Sequence, residues 1–172
     1  MKHYKHPETG EVFAYESEQE RKEWGAPELV AMTTGEVDAH LNPVPTIDSL
    51  AARKRSEIDT TRDTTLQAGL PYTMPDGTQE TVQTRAQDEP NLLGLAIEAR
   101  DLKAEGVTDP VLTLRVESNR NYQLTPQQMI ELTDAAKNYK KLILGKSWHL
   151  KDSVDAALAD EDREAIEAIK WE

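Results

Sequence analysis

Two long segments of the chain carry apolar residues at helical spacing. The first is predicted to be an amphipathic helix that begins near Pro90 and ends at Gly106, since proline favours the start of a helix and glycine its end. Three- and four-residue steps place its apolar residues on one stripe. That stripe consists of Leu92, Leu95, Ala96, Ala99 and Leu102.

The second segment predicts a longer helix, from Pro126 to about Ala157. Thr125 fits the N-cap position, Pro126 the first helical position and Gln128 the third residue of a capping box. Gly145 is a candidate for a bend, and Asp160 is expected to cap a last short helix. The apolar residues recur at near-heptad spacing. They are Met129, Leu132, Ala136, Tyr139, Ile143, Leu150 and Val154.

Each of these helices follows a segment that is typical of a β-hairpin. Asp76-Gly77 predicts a two-residue turn of the primed type, and the neighbouring Pro71 and Pro75 place its strands at a sheet edge. Apolar and polar residues alternate over 111–116, and the chain returns over 121–124. The sequence therefore predicts two hairpin–helix units that share one core.

The N-terminal segment predicts smaller elements. Residues 1–16 are typical of a hairpin with a turn that closes at Gly10, and Ser17 is expected to cap a short helix. Thr33 and Glu36 form a capping-box pattern for a brief helix through Leu41. An isolated hairpin is only marginally stable in water, so this region is expected to pack against something else.

Two prolines mark the main boundary between domains. Asn42-Pro43-Val44-Pro45 predicts a stiff, extended connection, after which Thr46 begins a helical run to about Gln67. The apolar stripe of that run is thin, so the helix either packs weakly on its own domain or needs a partner chain.

We expect three parts: 1–45, a hairpin and short-helix segment; 46–69, a connecting helix; and 70–172, the main domain. The predicted fold class is α+β, with a small N-terminal β-hairpin region followed by a helix-rich domain of two hairpin–helix units and a long C-terminal helix.

Composition narrows the classes of function. The net charge of −12 disfavours nucleic acid and anionic membrane surfaces as partners. The absence of cysteine excludes disulfides and thiolate metal sites. The N-terminus has no apolar signal region, and no stretch approaches the roughly 20 apolar residues of a membrane span. We expect a soluble protein that folds in the cytoplasm of the producing cell, with no nucleic-acid partner and no membrane insertion.

The sequence contains no recognised catalytic or metal-binding motif. The four histidines lack partners at ligand spacing, and there is no nucleophile elbow and no phosphate-binding loop. An acid pair for glycoside hydrolysis is left open, although no residues mark one. We expect no cofactor, no metal and no enzymatic activity.

Trp148 is expected in the core, whereas Trp24 and Trp171 are expected either to pack on the domain or to anchor a protein interface.

Three segments carry a resemblance to a known family. They are DGTQETVQTRAQDEPNLLGLAIEAR, VLTLRVESNRNYQLTPQQMIELTDAAKNYKK and SWHLKDSVDAA. Together they resemble a domain of unknown function that is common in the tail proteins of tailed phages. The positions that match that pattern are Asp76, Gly77, Gln83, Arg85, Asn91, Arg115, Leu124, Thr125, Pro126, Trp148 and Lys151. The N-terminal HPETGEVFAY and MTTGEVDAHLNPVPT are similar to the leader segment of phage tail-fibre assembly proteins.

The resemblance implies a phage or prophage protein that binds tail fibre, as an assembly chaperone or a fibre-associated factor. The alternatives are a permanent minor component of the tail or baseplate and, more remotely, a glycan-acting enzyme. The implied partner is a tail-fibre or baseplate protein, with a homo-oligomer as a further alternative. The implied location is the host cytoplasm during assembly, or the virion tail. We expect the partner-binding residues to be Tyr4, Phe13, Tyr15, Trp24, Ile47, Leu50, Ile58 and Trp171.

Overall fold

The computed structural model describes residues 1–172, which form two compact units, Met1–Thr46 and Ile47–Glu172. The first unit contains three strands and two helices. These are β1 (Lys2–Lys5), β2 (Val12–Tyr15), α1 (Glu18–Trp24), β3 (Val30–Ala31) and α2 (Thr34–Leu41). The strands form an antiparallel sheet in the order β2-β1-β3. The predicted hairpin is thus confirmed, and β3 is an addition that the sequence did not predict.

Local hydrogen bonds set the ends of the helices in the first unit. The Ser17 side chain accepts from the backbone N–H of Glu20, as expected of an N-cap. Thr33 and Glu36 form the predicted capping box, and α2 ends at Leu41 as predicted. Gly10 has a φ of +74°, the left-handed conformation that closes the turn between β1 and β2.

The second unit contains four helices and two hairpins. Its elements are α3 (Ile47–Ala68), β4 (Leu70–Thr73), β5 (Gln79–Val82), α4 (Glu89–Ala104), β6 (Leu112–Arg115), β7 (Asn121–Leu124), α5 (Pro126–Ala159) and α6 (Arg163–Ala168). The predicted capping box at Thr125 begins α5, which continues through Gly145 for 34 residues, about 51 Å at a rise of about 1.5 Å per residue. No helix is both long and apolar enough to cross a membrane.

Two apolar clusters hold the second unit together. The first joins both hairpins to α4 and the N-terminal half of α5, and confirms that the two hairpin–helix units share one core. Its buried residues are Met74, Val82, Ala99, Leu112, Leu114, Val116, Tyr122, Leu124, Met129 and Leu132. The second cluster joins α3, the C-terminal half of α5 and α6 through Leu50, Ala51, Ile58, Val154, Ala157 and Ile166. The α+β fold class is confirmed.

Three local predictions are wrong. At the first hairpin only Gly77 has a positive φ, +85°, and the bond from Gly77 N–H to the Met74 carbonyl (2.8 Å) fits a three-residue loop rather than a primed two-residue turn. The last helix is capped by Asp162, since Asp160 belongs to the end of α5. Trp148 is 61% exposed rather than part of the core.

Gly69, between α3 and β4, is expected to be the glycine least tolerant of substitution. Its φ is +79°, and a Cβ atom there would lie 2.6 Å from Thr81 Cγ2 and 2.8 Å from the Val82 carbonyl oxygen. Gly106→Ala provides the matched control, because Gly106 has a φ of +81° and open space around a Cβ. Chemical denaturation should show a loss of about 1–2 kcal/mol for Gly106→Ala from the backbone conformation alone. Gly69→Ala should lose at least about 1 kcal/mol more from the steric clash, and equal losses would contradict this packing.

Candidate functional site

The N-terminal sheet places three of the predicted partner-binding residues on one face. Phe13 lies directly opposite Tyr4 in the β1–β2 register, and Tyr15 follows two residues after Phe13 on the same face. The rings of Tyr4 and Tyr15 meet edge to face, with centroids 5.8 Å apart. The Arg21 guanidinium of α1 lies 5.3 Å from the centre of the Tyr4 ring. Tyr4 is therefore buried under α1, whereas Phe13 is 38% exposed.

The outer edge of β2 has no neighbouring strand. The N–H of Met32 donates to the carbonyl of His3 (2.9 Å), so the backbone polar groups of His3 point toward β3. Ala14 lies opposite His3, and Val12 lies opposite Lys5. In an antiparallel pair such residues occupy the non-hydrogen-bonded positions, and their N–H and C=O groups point away from β1. The edge of β2 is thus available for pairing with another strand.

The first unit has a very small core. Tyr4 and Leu29 are its only buried residues, at 5% and 7% exposure. Trp24 is 80% exposed at the end of α1, and four further apolar side chains of the unit are exposed besides Phe13. They are Met1, Val30, Leu41 and Val44. A unit of 46 residues without disulfides depends on its apolar core for stability. A core this small is typical of a region that is completed by a partner.

An ion pair connects α2 to the sheet. The Lys5 ammonium contacts the Glu36 carboxylate, which also accepts the Thr33 backbone N–H at 2.8 Å. These bonds, above all the one from Lys5, lower the pKa of Glu36 from 4.5 to about 2. The contact orients α2 on the sheet while both side chains keep about two-fifths of their surface exposed.

The predicted partner surface on α3 requires a correction. Leu50 and Ile58 are only 2% and 3% exposed, since they pack against α5 and α6 in the second cluster. Ile47 and Trp171 are half-buried against the same cluster, and the Lys146 ammonium lies 5.3 Å from the centre of the Trp171 ring. The thin stripe of α3 is therefore filled within the chain and offers no free apolar face. Of the predicted residues, Phe13 on β2 and Trp24 at the end of α1 are exposed, and Tyr15 on β2 is half-buried.

Nothing in the described chain forms a group of three or more histidine, aspartate or glutamate side chains that could hold a metal ion. The His6 imidazole Nδ1 accepts the backbone N–H groups of Glu8 and Thr9, both at 3.2 Å. Its Nε2 lies 3.5 Å from the carboxylate of Glu28. This histidine therefore orders the turn between β1 and β2.

A groove between α4 and α5 is a further candidate site, which the sequence did not predict. It has a volume of about 480 Å³, with an apolar floor and a charged rim. The floor includes Leu92, Leu93, Ala96 and Ala136, and the rim includes Glu89, Arg100, Asp134, Lys137 and Lys140. Leu93 in this lining is 60% exposed, and Ile97, four residues further along α4, is 54% exposed. The sequence does contain a signal for this site: Leu93 and Ile97 are apolar, lie four residues apart on α4 and do not belong to its buried stripe.

Comparison with known proteins identifies the second unit. Residues 49–170 match the family model of DUF4376, a domain of unknown function. No curated protein and no solved structure matches the chain significantly. The family match covers most of the second unit and more than half of the chain, and it confirms the predicted resemblance to a domain of unknown function. The chain therefore belongs to the DUF4376 family.

Proposed function

We propose that this protein is a tail protein of a phage or prophage that binds tail fibre, as an assembly chaperone or a fibre-associated factor. The resemblance of its N-terminal segment to phage tail-fibre assembly proteins gives the biological context. The observation that carries the proposal is the first unit, which buries only Tyr4 and Leu29 and leaves the edge of β2 unpaired. The unit acts in the host cytoplasm during assembly.

The mechanism is physical rather than catalytic. An extended segment of the fibre pairs with the outward N–H and C=O groups of Val12 and Ala14, which adds a strand to the sheet. The exposed side chains of Phe13 and Trp24 cover apolar surface of the fibre. Unpaired strand edges and apolar patches on an unassembled fibre subunit promote aggregation, so covering them keeps the subunit competent for assembly.

Co-expression with a tail-fibre gene encoded beside this protein tests the proposal. With the protein present, the fibre should be soluble and trimeric, and the two should purify together. A fibre that is equally soluble and trimeric alone, and that does not purify with the protein, would contradict the proposal. Mass spectrometry of purified particles then separates the two modes of action, since a chaperone that is released is absent from virions and a permanent tail component is present.

A further inference from the structure

We propose that two copies of this chain associate through the outward face of α5, with their α5 helices antiparallel and in contact at Gly145. The inference is independent of fibre binding, because it uses only residues of the second unit. Leu142 and Trp148 are 73% and 61% exposed. They lie three residues before and three residues after Gly145, so they flank it on opposite sides. The outward face consists of Asn138, Lys141, Leu142, Gly145, Trp148 and Asp152.

Gly145 gives a second helix room to approach. It lies inside α5, where glycine is less favourable than alanine and other helix-forming residues. Ile143 and Ser147 are buried and point to the opposite side of the helix. Nothing lies within 4 Å of a Cβ atom placed at Gly145, so packing within the chain does not require a glycine there. The lack of a side chain instead allows another backbone to come close.

The outward face carries two unpaired charges of opposite sign. Lys141 and Asp152 are exposed, and neither forms an ion pair within the chain. They lie about 16 Å apart along the helix, too far to pair with each other. Asp152 is the only acid between residues 138 and 152. The other lysines of that stretch already have partners, which are Glu89 for Lys140, the Trp171 ring for Lys146 and Asp59 for Lys151.

A two-fold axis perpendicular to the helices makes this face complementary to itself. When two antiparallel helices meet at Gly145, residue 141 of each lies level with residue 149 of the other. Lys141 then lies between Trp148 and Asp152 of the other copy, since all three side chains occupy the same edge of the contact. Its ammonium can pair with that Asp152 while its stem covers the Trp148 ring. Parallel helices would instead oppose Lys141 to Lys141 and Asp152 to Asp152.

This charge pattern identifies the occupant of the face as a second copy. Each half of the face, before and after Gly145, is complementary in charge to the other half and not to itself. One helix of each copy supplies the contact, so the buried area is smaller than the roughly 1,200–2,000 Å² of stable interfaces. The dimer should therefore form at high protein concentration and dissociate on dilution.

Sedimentation velocity of the full chain, from low micromolar to near-millimolar concentration, tests the dimer. The wild type should shift from a mass of 19.3 kDa toward twice that value as concentration rises. Gly145→Gln should associate at least about tenfold more weakly, because its side chain fills the contact. The variant keeps its fold, since glutamine favours a helix and finds open space there.

Gly94→Gln is the matched control. Gly94 also lies inside a helix, α4, with open space around a Cβ atom, so this variant should dimerise as the wild type does. A wild type that stays monomeric throughout, or a Gly145→Gln variant that dimerises as well as Gly94→Gln, would overturn the proposal.

Exchanging the two charges tests the antiparallel arrangement. Lys141→Asp alone, or Asp152→Lys alone, should weaken association about threefold or more, since like charges then meet at both symmetric contacts. The double variant Lys141→Asp with Asp152→Lys should dimerise about as well as the wild type, because each ion pair is restored with its charges exchanged. Single variants that associate as well as the wild type, or a double variant that associates as weakly as they do, would overturn the proposed pairing.

Discussion

Replacing Leu132 with alanine is expected to lower the free energy of unfolding by about 2–5 kcal/mol, the range of a fully buried leucine that leaves a cavity. Leu132 has no exposed surface and lies in the first cluster, where α5 meets both hairpins. The side chain is therefore part of the core that the two hairpin–helix units share. Denaturation followed by far-ultraviolet circular dichroism measures the loss, at a fixed, low protein concentration so that self-association adds no stability.

The control for this prediction is Leu142→Ala. Leu142 lies on the same helix, ten residues from Leu132, and is 73% exposed, so its replacement should change the free energy of unfolding by less than about 0.5 kcal/mol. The helix propensity of the two variants changes equally, so the difference between them isolates burial. Similar losses for the two variants would show that the first cluster is not where the stability of the second unit resides.

Features that depend on a few neighbouring residues were predictable from the sequence. The capping boxes at Thr33 and Thr125 fixed the starts of α2 and α5, because the hydrogen bonds that define them lie within one turn. The alternation of Leu112 and Leu114 with polar residues predicted β6 for the same reason. The edge position of β2 was less accessible, since it depends on β3, which has only two residues and little pattern to read.

Features that depend on distant residues were not predictable in the same way. The sequence left open whether the thin stripe that contains Ile58 packs on its own domain or needs a partner chain. Ile58 packs with Val154 and Ile166, about a hundred residues further on. Trp148 was predicted to lie in the core because it is close to Leu150 in the register of the helix. At the helical period, Ser147 instead lies on the same buried face as Ile143, and Trp148 projects into solvent. The groove between α4 and α5 depends on the spacing of two helices, which no local pattern encodes.

The edge of β2 should be essential for fibre binding, and Ala14→Pro is the substitution that tests it. Proline removes the backbone N–H of residue 14, which points away from β1, so the bonds within the sheet remain. An added strand would lose one hydrogen bond and leave its own carbonyl unpaired, at a cost of about 1–3 kcal/mol. Binding should therefore weaken by roughly tenfold or more. Ala14→Val is the matched control, because it retains the N–H and suits a strand.

Capture of tail fibre by the edge of β2 is tested by the affinity of the fibre protein for wild type, Ala14→Pro and Ala14→Val, measured with full-length chains. An amide NMR spectrum of each variant first establishes that the N-terminal sheet is intact. We expect wild type and Ala14→Val to bind the fibre equally well, and Ala14→Pro to bind at least about tenfold more weakly. Equal binding by a correctly folded Ala14→Pro variant would contradict the claim that this protein captures tail fibre through the free edge of its N-terminal sheet.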